Sequence, residues 1–314
     1  MPDSVAISVQ SLARSFPGVQ AVDGLSFEVR YGEIFGLVGP DGAGKTTTLR
    51  MLAGVLLPDA GTALVAGCDV VRAPERVKHD ISYMSQRFGL YEDLTVEENI
   101  RFYARIFGVK RAEHAARSQR LLQAAGMEAF RARLAGKLSG GMKQKLGLIC
   151  ALIHTPRVLL LDEPTNGVDP VSRRDFWRIL YSLLDEGVAI LASTAYLDEA
   201  ERCHRVALMH QGRLLFCDRP GALKHSLDGR ILAVVTAQPR QARQALKGLD
   251  GLSGVVLAGD GLHLVVDNAE TRIPAIRERL IASGVNVASV APATASLEDL
   301  FVYAVEGAPK VAHG

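Results

Sequence analysis

The chain has 314 residues, of which 48% are hydrophobic and 6% aromatic, and its 36 basic residues nearly balance its 34 acidic ones. This composition is typical of a globular protein with a sizeable core and excludes a largely disordered chain. The net charge of +2 gives no electrostatic argument for binding nucleic acid or anionic lipid, so no nucleic-acid partner is expected.

The sequence shows no targeting or membrane-spanning segment. MPDSVAISVQ at the start lacks the basic flank and apolar core of a signal peptide, and the most apolar runs, 146–153 and 157–164, suit core elements of an α/β sheet. Both are far shorter than the roughly 18 apolar residues that span a bilayer. None of the four cysteines forms a C-x-x-C pair, which favours buried thiols in a reducing compartment over a zinc site or a disulfide framework. We therefore expect a soluble, cytoplasmic chain that needs another subunit for any work at a membrane.

The first elements of the chain lead to a glycine-rich loop. Residues 4–12 and 21–33 are expected to form antiparallel strands, and the apolar run 34–38 is a third strand. GPDGAGKTTT at 39–48 then fits the pattern G-x-x-x-x-G-K-[ST], and a helix is expected from Thr46. Backbone N–H groups of such a loop, together with the helix N-terminus, favour phosphate. The sequence therefore predicts a nucleoside triphosphate site.

The residues of this loop have separate predicted roles. Lys45 is placed to reach the β- and γ-phosphates as a point charge, and the Thr46 hydroxyl is placed to hold a magnesium ion. The residues predicted to surround the nucleotide here are Gly39, Pro40, Asp41, Gly42, Ala43, Gly44, Lys45, Thr46 and Thr47.

Strand and helix patterns alternate from this loop to about residue 220, which predicts a doubly wound α/β sheet in a domain of residues 1–220. The expected elements include strands at 158–161 and 188–193, a helix at 171–186, and a strand pair at 206–216. Charged segments with helical periodicity interrupt the order and predict an inserted helical subdomain at about 87–150.

Two adjacent carboxylates end the buried strand in VLLLDEP. Side chains alternate along a strand, so Asp162 and Glu163 are expected to point in different directions and to have different roles. Asp162 is predicted to support magnesium through its water shell. Glu163 is predicted to face the γ-phosphate, where a general base polarises the attacking water.

After Pro220 the pattern changes to a small βαββαβ unit, residues 221–314. The element order suggests a ferredoxin-like split sheet whose hairpin is carried by Gly259, Asp260 and Gly261. No catalytic constellation is visible in it, and His263 is expected to be a surface or packing residue. Three roles stay open for this unit, namely closing a dimer, sensing a ligand and stabilising the subunit, and a role in dimerisation or regulation is favoured.

LSGGMKQ at 138–144 closely resembles the signature motif of the ATP-binding-cassette (ABC) ATPases. The resemblance extends over about the first 215 residues, with the motifs in family order. It implies the P-loop NTPase fold of these cassettes, with an antiparallel β subdomain and a helical subdomain. In this family the signature of one subunit completes the ATP site of a second, head-to-tail subunit. The implied residues in trans are Ser139, Gly140, Gly141 and Gln144, so function requires a second cassette, identical or not.

The resemblance also implies roles for three residues outside these motifs. Phe16 stands at the adenine-stacking position, where many members have tyrosine. Gln86 contacts the magnesium and the attacking water, and links the core to the helical subdomain. Asp169 in NGVDP serves communication between the two cassettes. The implied cofactors are ATP and Mg²⁺.

Two further segments resemble the exporter, multidrug-type branch of the family: 85–108, SQRFGLYEDLTVEENIRFYARIFG, and 295–305, ASLEDLFVYAV. This resemblance implies a peripheral ATPase at the cytoplasmic face of the cell membrane. Its surface near residues 86–102 would receive a separate transmembrane permease. ATP would close the cassette dimer and hydrolysis would release it.

One position departs from the family pattern. In STAYLDEAERC, Ala195 stands where the family usually has a histidine, and alanine cannot donate a hydrogen bond to a γ-phosphate. Losing one such donor commonly costs about 100- to 1000-fold in rate. Two interpretations stay open: slow hydrolysis in an asymmetric pair with a histidine-bearing cassette, or substitution by a neighbouring group.

Three functions therefore remain. A transporter ATPase subunit is favoured by the single cassette and its exporter-like glutamine region. A soluble non-transport cassette usually has two cassettes, long coiled coils or basic arms, and the sequence shows none of these. A binding-only regulatory subunit would be marked by Ala195 and would dimerise with ATP without turnover.

Overall fold

The computed structural model describes residues 4–86, 89–259 and 261–307. The chain divides into two compact units, Met1–Leu214 and Leu215–Gly314, whereas the sequence pattern predicts a boundary after residue 220. Two parts of the sequence expectations lie outside the described residues: Asp260 of the predicted hairpin, and residues 87–88 of the exporter-like segment.

Strands and helices alternate along the first unit. The strands are β1 (Val5–Phe16), β2 (Val19–Arg30), β3 (Ile34–Val38), β4 (Ala60–Val65), β5 (Cys68–Asp69), β6 (Ile81–Met84), β7 (Val158–Asp162), β8 (Ala189–Thr194), β9 (Arg205–His210) and β10 (Arg213–Asp218), the last of which crosses the boundary between the units. The helices are α1 (Lys45–Leu52), α2 (Pro74–Asp80), α3 (Val96–Ile106), α4 (Arg111–Ala124), α5 (Gly140–Leu152), α6 (Pro170–Leu184) and α7 (Leu197–Ala200).

The antiparallel strands at the start of the chain form a sheet in the order β2-β1-β4-β5. β1 pairs antiparallel with both β2 and β4. Strand β1 continues to Phe16, beyond the expected end at residue 12, because the β1/β2 pairing extends to Val19. Gly18, with φ of +78°, closes the connection.

The central sheet has the order β10-β9-β3-β8-β7-β6. β3 pairs parallel with β8 and β9, and β7 pairs parallel with β6 and β8. Every residue of β3, β7 and β8 is buried, as expected for parallel strands covered on both faces. The α/β fold class is confirmed. Because parallel strands end at one edge of a sheet, the residues after β3, β6, β7 and β8 meet there.

Helices α3, α4 and α5 contact one another in the part of the chain predicted as the helical subdomain. Thr95 begins α3 with a capping box, in which its side chain accepts from the Glu98 N–H and Glu98 accepts from the Thr95 N–H. The apolar run 146–153, expected as a core element, is a buried part of helix α5 and does not join the sheet.

The second unit contains α8 (Pro220–His225), β11 (Ile231–Val235), α9 (Pro239–Ala245), β12 (Leu252–Ala258), β13 (Gly261–Val266), α10 (Ala269–Ala282), β14 (Ser289–Pro292) and α11 (Leu297–Val302). Its antiparallel sheet has the order β12-β13-β11-β14, which is the order of a split βαββαβ sheet. Leu232, Leu264 and Ile276 belong to its core. His263 is partly exposed, and its Nδ1 lies 3.0 Å from Oδ2 of the buried Asp299.

Among the described residues, no helix combines the length and apolarity needed to cross a membrane. Cys68, Cys150 and Cys203 are free and buried, and Cys217 is half-buried. Burial raises the pKa of the Cys203 thiol to about 12, with a smaller contribution from Glu199.

Candidate active site

The phosphate loop joins the end of β3 to the start of α1. Lys45 is only 4% exposed, and its Nζ donates to the carbonyl oxygens of Gly39 at 2.7 Å and Pro40 at 3.1 Å. These bonds pin the lysine to its own loop. Gly44 caps α1 with φ of +102°, and a Cβ at this position would collide with the carbonyl oxygen of Ala21. Only glycine fits there, and the first-turn N–H groups of α1 have no intrahelical partners, which suits an anion.

A pocket of about 450 Å³ opens beside this loop. Its lining comes from the β1/β2 connection, the phosphate loop, the segment after β6 and the end of β7. The lining residues are Phe16, Val19, Ala21, Asp41, Gly42, Ala43, Gly44, Lys45, Thr46, Thr47, Gln86 and Glu163. Among the described residues, the lining does not include Gly39 and Pro40. Their carbonyl oxygens accept hydrogen bonds from Lys45 Nζ. The fold thus brings together residues that are up to about 150 positions apart in the sequence.

Phe16 lines this pocket. Its side chain is 41% exposed, and the Arg14 guanidinium lies 5.1 Å from the ring centroid. Arg14 is itself held by Asp59 at 2.6 Å. The ring is therefore held by a cation–π contact, and an aromatic surface remains available at the pocket.

Asp162 is buried at the carboxyl end of β7, with 1% exposure. Its Oδ1 accepts from the Thr46 hydroxyl at 3.0 Å and the Ser193 hydroxyl at 2.8 Å, and its Oδ2 accepts from the Tyr83 hydroxyl at 3.3 Å. Burial and the neighbouring Asp162 raise the pKa of Tyr83 to about 12, so Tyr83 stays a donor. Hydroxyl and carboxylate oxygens are ligands that Mg²⁺ prefers, so Thr46 and Asp162 fit a magnesium site.

Glu163 has different surroundings, although it follows Asp162 directly. Its backbone has φ of +49°, a left-handed conformation uncommon outside glycine, and its N–H donates to the Ser193 carbonyl at 3.2 Å. Its Oε1 lies 3.1 Å from Lys45 Nζ, and its Oε2 accepts from Gln86 Nε2 at 3.1 Å. Asn166 Nδ2 also donates to Oε2, at 3.3 Å. The carboxylate is therefore held at the pocket wall by one cation and two amides.

Sequence reasoning missed Ser193, Tyr83 and Asn166. Ser193 lies opposite Asp162 in the β7/β8 register, and Tyr83 is on the other neighbour of β7, strand β6. Their nearness to Asp162 follows from the strand order, which the sequence does not show. Asn166 was within reach of sequence reasoning, since it lies three residues after Glu163.

The signature residues lie at the start of α5. The Ser139 hydroxyl accepts from the Met142 N–H at 3.3 Å and caps this helix. Gly141 packs so closely on Ser172 that a Cβ would overlap that side chain, whereas Gly140 faces open space. Among the described residues, the lining of the pocket includes none of Ser139, Gly140, Gly141 and Gln144.

Asp169 is the N-cap of α6. It accepts from the N–H groups of Val171 at 3.1 Å and Ser172 at 2.9 Å, and the bonds from Ser172 hold the pKa of this carboxyl below its usual value. Since Ser172 also packs on Gly141, the Asp169 segment and the signature helix are in contact.

The position expected to hold a histidine lies between β8 and α7. Ala195 is exposed there, and Tyr196 after it donates its N–H to the Thr194 hydroxyl at 2.9 Å. The Tyr196 hydroxyl donates to Asn166 Oδ1 at 3.2 Å.

Comparison with known proteins identifies a family model and close relatives. Residues 22–166 match the family model described as "ABC transporter". The chain is 50% identical over 232 residues to the "Probable multidrug ABC transporter ATP-binding protein YbhF" of Escherichia coli K12; the match covers 73% of this chain but only 40% of YbhF. It is 36% identical to the "Daunorubicin/doxorubicin resistance ATP-binding protein DrrA" of Streptomyces peucetius, covering 97% of this chain and 93% of DrrA.

A solved structure of an ATP-binding subunit of an ABC transporter matches with a TM-score of 0.65 and 29% identity. The match covers 70% of this chain and 92% of that subunit. The fold and the order of motifs are therefore those expected from the sequence resemblance.

Proposed function

Because the chain belongs to the ATP-binding-cassette family of ABC transporters, we propose that it binds and hydrolyses ATP to drive a separate membrane permease of an exporter. The observation that carries this proposal is the convergence of Lys45, Gln86 and Glu163 in one pocket beside the phosphate loop. The chain spans 40% of the length of YbhF, and its match to DrrA supports the same role over nearly its whole length.

Each pocket residue has a role in this proposal. The loop N–H groups and Lys45 hold the phosphates, and Phe16 packs on the adenine. The Thr46 hydroxyl, Asp162 and the Gln86 amide would hold Mg²⁺, which when bound neutralises charge on the β- and γ-phosphate oxygens. Glu163 accepts the proton of the attacking water while Gln86 and Asn166 keep its Oε2 oriented.

A second cassette completes the site. Ser139, Gly140, Gly141 and Gln144 line no part of the chain's own pocket, among the residues described, and a helix N-terminus with glycines suits a γ-phosphate. We propose that these residues contact the ATP of a second cassette, identical or not. Asp169 lies against the signature helix and would relay closure between the two sites. The pair would work at the cytoplasmic face of the membrane, where residues 221–314 add an accessory domain for pairing or regulation.

One observation favours a second candidate function. Ala195 provides no donor for a γ-phosphate, which fits a regulatory cassette that binds ATP and leaves hydrolysis to its partner. Turnover by the purified chain separates the two functions, since a regulatory cassette would bind ATP without releasing phosphate.

The test compares Lys45→Ala with a matched lysine variant. We expect the wild-type chain to release phosphate from ATP in a magnesium-dependent manner. Lys45→Ala removes the buried cation of the pocket, and we expect it to lose about 100-fold or more in kcat/KM and to bind a fluorescent ATP analogue more weakly. Lys78→Ala, whose side chain is 47% exposed and pairs only with Glu75 in the described structure, should match the wild type. Unchanged activity in Lys45→Ala, or no ATP binding by the wild type, would contradict the proposal.

A further inference from the structure

We infer that Tyr196 is a positioning residue for hydrolysis, which acts on Glu163 through Asn166. The inference rests on the proposed function, since it concerns the carboxylate that activates water. It assigns a task to two side chains that do not line the nucleotide pocket, among the residues described.

A chain of hydrogen bonds connects the three residues. The Tyr196 hydroxyl lies 3.2 Å from Asn166 Oδ1, and Asn166 Nδ2 lies 3.3 Å from Glu163 Oε2. The same Oε2 receives Gln86 Nε2 at 3.1 Å. Thus Glu163 Oε2 has two amide donors, Gln86 and Asn166, and the Asn166 amide also contacts the Tyr196 hydroxyl.

Donor and acceptor chemistry fixes the direction of these hydrogen bonds. Glu163 forms an ion pair with Lys45, so its carboxylate oxygens accept and do not donate. Asn166 must therefore turn its NH₂ group toward Glu163, which leaves its carbonyl oxygen facing Tyr196. A carbonyl oxygen only accepts, so the tyrosine hydroxyl must donate. Without that hydroxyl, the Asn166 carbonyl oxygen loses this donor and, among the described residues, the amide is oriented by Glu163 alone.

Tyr196 is itself held in place. Its N–H donates to the Thr194 hydroxyl, and the Thr194 hydroxyl donates to the buried Glu199 at 2.8 Å. The Arg173 guanidinium lies 4.8 Å from the Tyr196 ring centroid and pairs with Glu199 at 3.3 Å. Tyr196 is thus held through its backbone N–H and through its ring, although it is 39% exposed.

The position of Tyr196 in the sequence connects these hydrogen bonds to hydrolysis. Tyr196 directly follows Ala195, whose side chain offers no hydrogen bond. Tyr196 therefore connects the segment after β8 to the Glu163 carboxylate. An effect on orientation predicts a lower rate of the chemical step with little change in ATP affinity, because neither Tyr196 nor Asn166 lines the pocket.

The experiment is a double-mutant cycle in the full-length protein. We expect Tyr196→Phe to lower kcat about ten-fold and to leave KM for ATP within about two-fold. Asn166→Ala should have a loss of similar size, and the double variant should be no slower than Asn166→Ala alone. Tyr181→Phe is the matched control, since Tyr181 is 40% exposed and donates its hydroxyl to the Arg202 carbonyl at 2.8 Å. We expect the control and Tyr196→Phe to unfold at the temperature of the wild type.

Three results would overturn the inference. One is a kcat within two-fold of wild type for Tyr196→Phe, and a second is independent, multiplicative losses in the double variant. The third is a fall in thermal stability that accounts for the lost rate. A wild-type protein without turnover, or a Glu163→Gln variant with full turnover, would instead remove the proposed function and this inference with it.

Discussion

Asp162 and Glu163 show how neighbouring residues of one type come to differ. Asp162 is buried among three hydroxyl groups, whereas Glu163 turns out of the strand with a positive φ and meets Lys45 and two amides. The sequence predicted different directions from strand alternation alone. It could not predict the left-handed backbone of Glu163 or the Ser193 bonds, because both depend on the neighbouring strand β8.

The missing histidine gives a direct test at position 195. We expect Ala195→His to raise kcat by about ten-fold or more, since it adds a donor that can reach a γ-phosphate at the end of β8. Phosphate release at saturating ATP measures the effect. Ala195→Leu is the control, because it adds bulk without a donor and should give no gain. If the histidine variant is no faster than the wild type, a neighbouring group already replaces that donor.

Strands and helices were predictable where the hydrophobic pattern is strong. β3, β7 and β8 are continuous apolar runs, and each was expected within one residue of its observed bounds. The pattern NVASV at 286–290 predicts a strand from residue 286, but β14 begins at Ser289. The reason is local: the Asn286 N–H donates to the Gln238 side-chain oxygen, and the Asn286 carbonyl accepts from the Thr236 hydroxyl, so side chains replace the strand hydrogen bonds there.

The burial of β7 predicts a large stability effect. Leu160 is 0% exposed in the middle of this strand, so we expect Leu160→Ala to lower the free energy of unfolding by about 2–5 kcal/mol. Trp177 is the chain's single tryptophan and is buried in the first unit, so its fluorescence during urea unfolding reports on that unit. Leu57→Ala, at a side chain 61% exposed, should change the free energy of unfolding by less than about 0.5 kcal/mol. Equal effects of the two variants would show that β7 is not part of the core.

Across the molecule, one edge of a parallel sheet gathers the phosphate loop, Gln86, Asp162 and Glu163, while the signature residues line no part of that pocket among the described residues. The order of motifs in the sequence was enough to predict the family. That the pocket beside the phosphate loop binds the nucleotide stays a prediction. Sequence could not predict the contact between Tyr196 and Asn166, because it joins the segments that follow two different strands, β8 and β7. The sequence of one chain also does not show which second cassette pairs with it, because the signature residues would contact the ATP of another protein.

ATP binding and turnover by Glu163→Gln, beside the wild type, decide whether this pocket is catalytic. Glutamine keeps the size of the side chain but cannot accept the proton of the attacking water. We expect the variant to bind a fluorescent ATP analogue as tightly as the wild type and to lose at least about 100-fold in phosphate release. Wild-type turnover in Glu163→Gln would contradict the assignment of Glu163 as the general base.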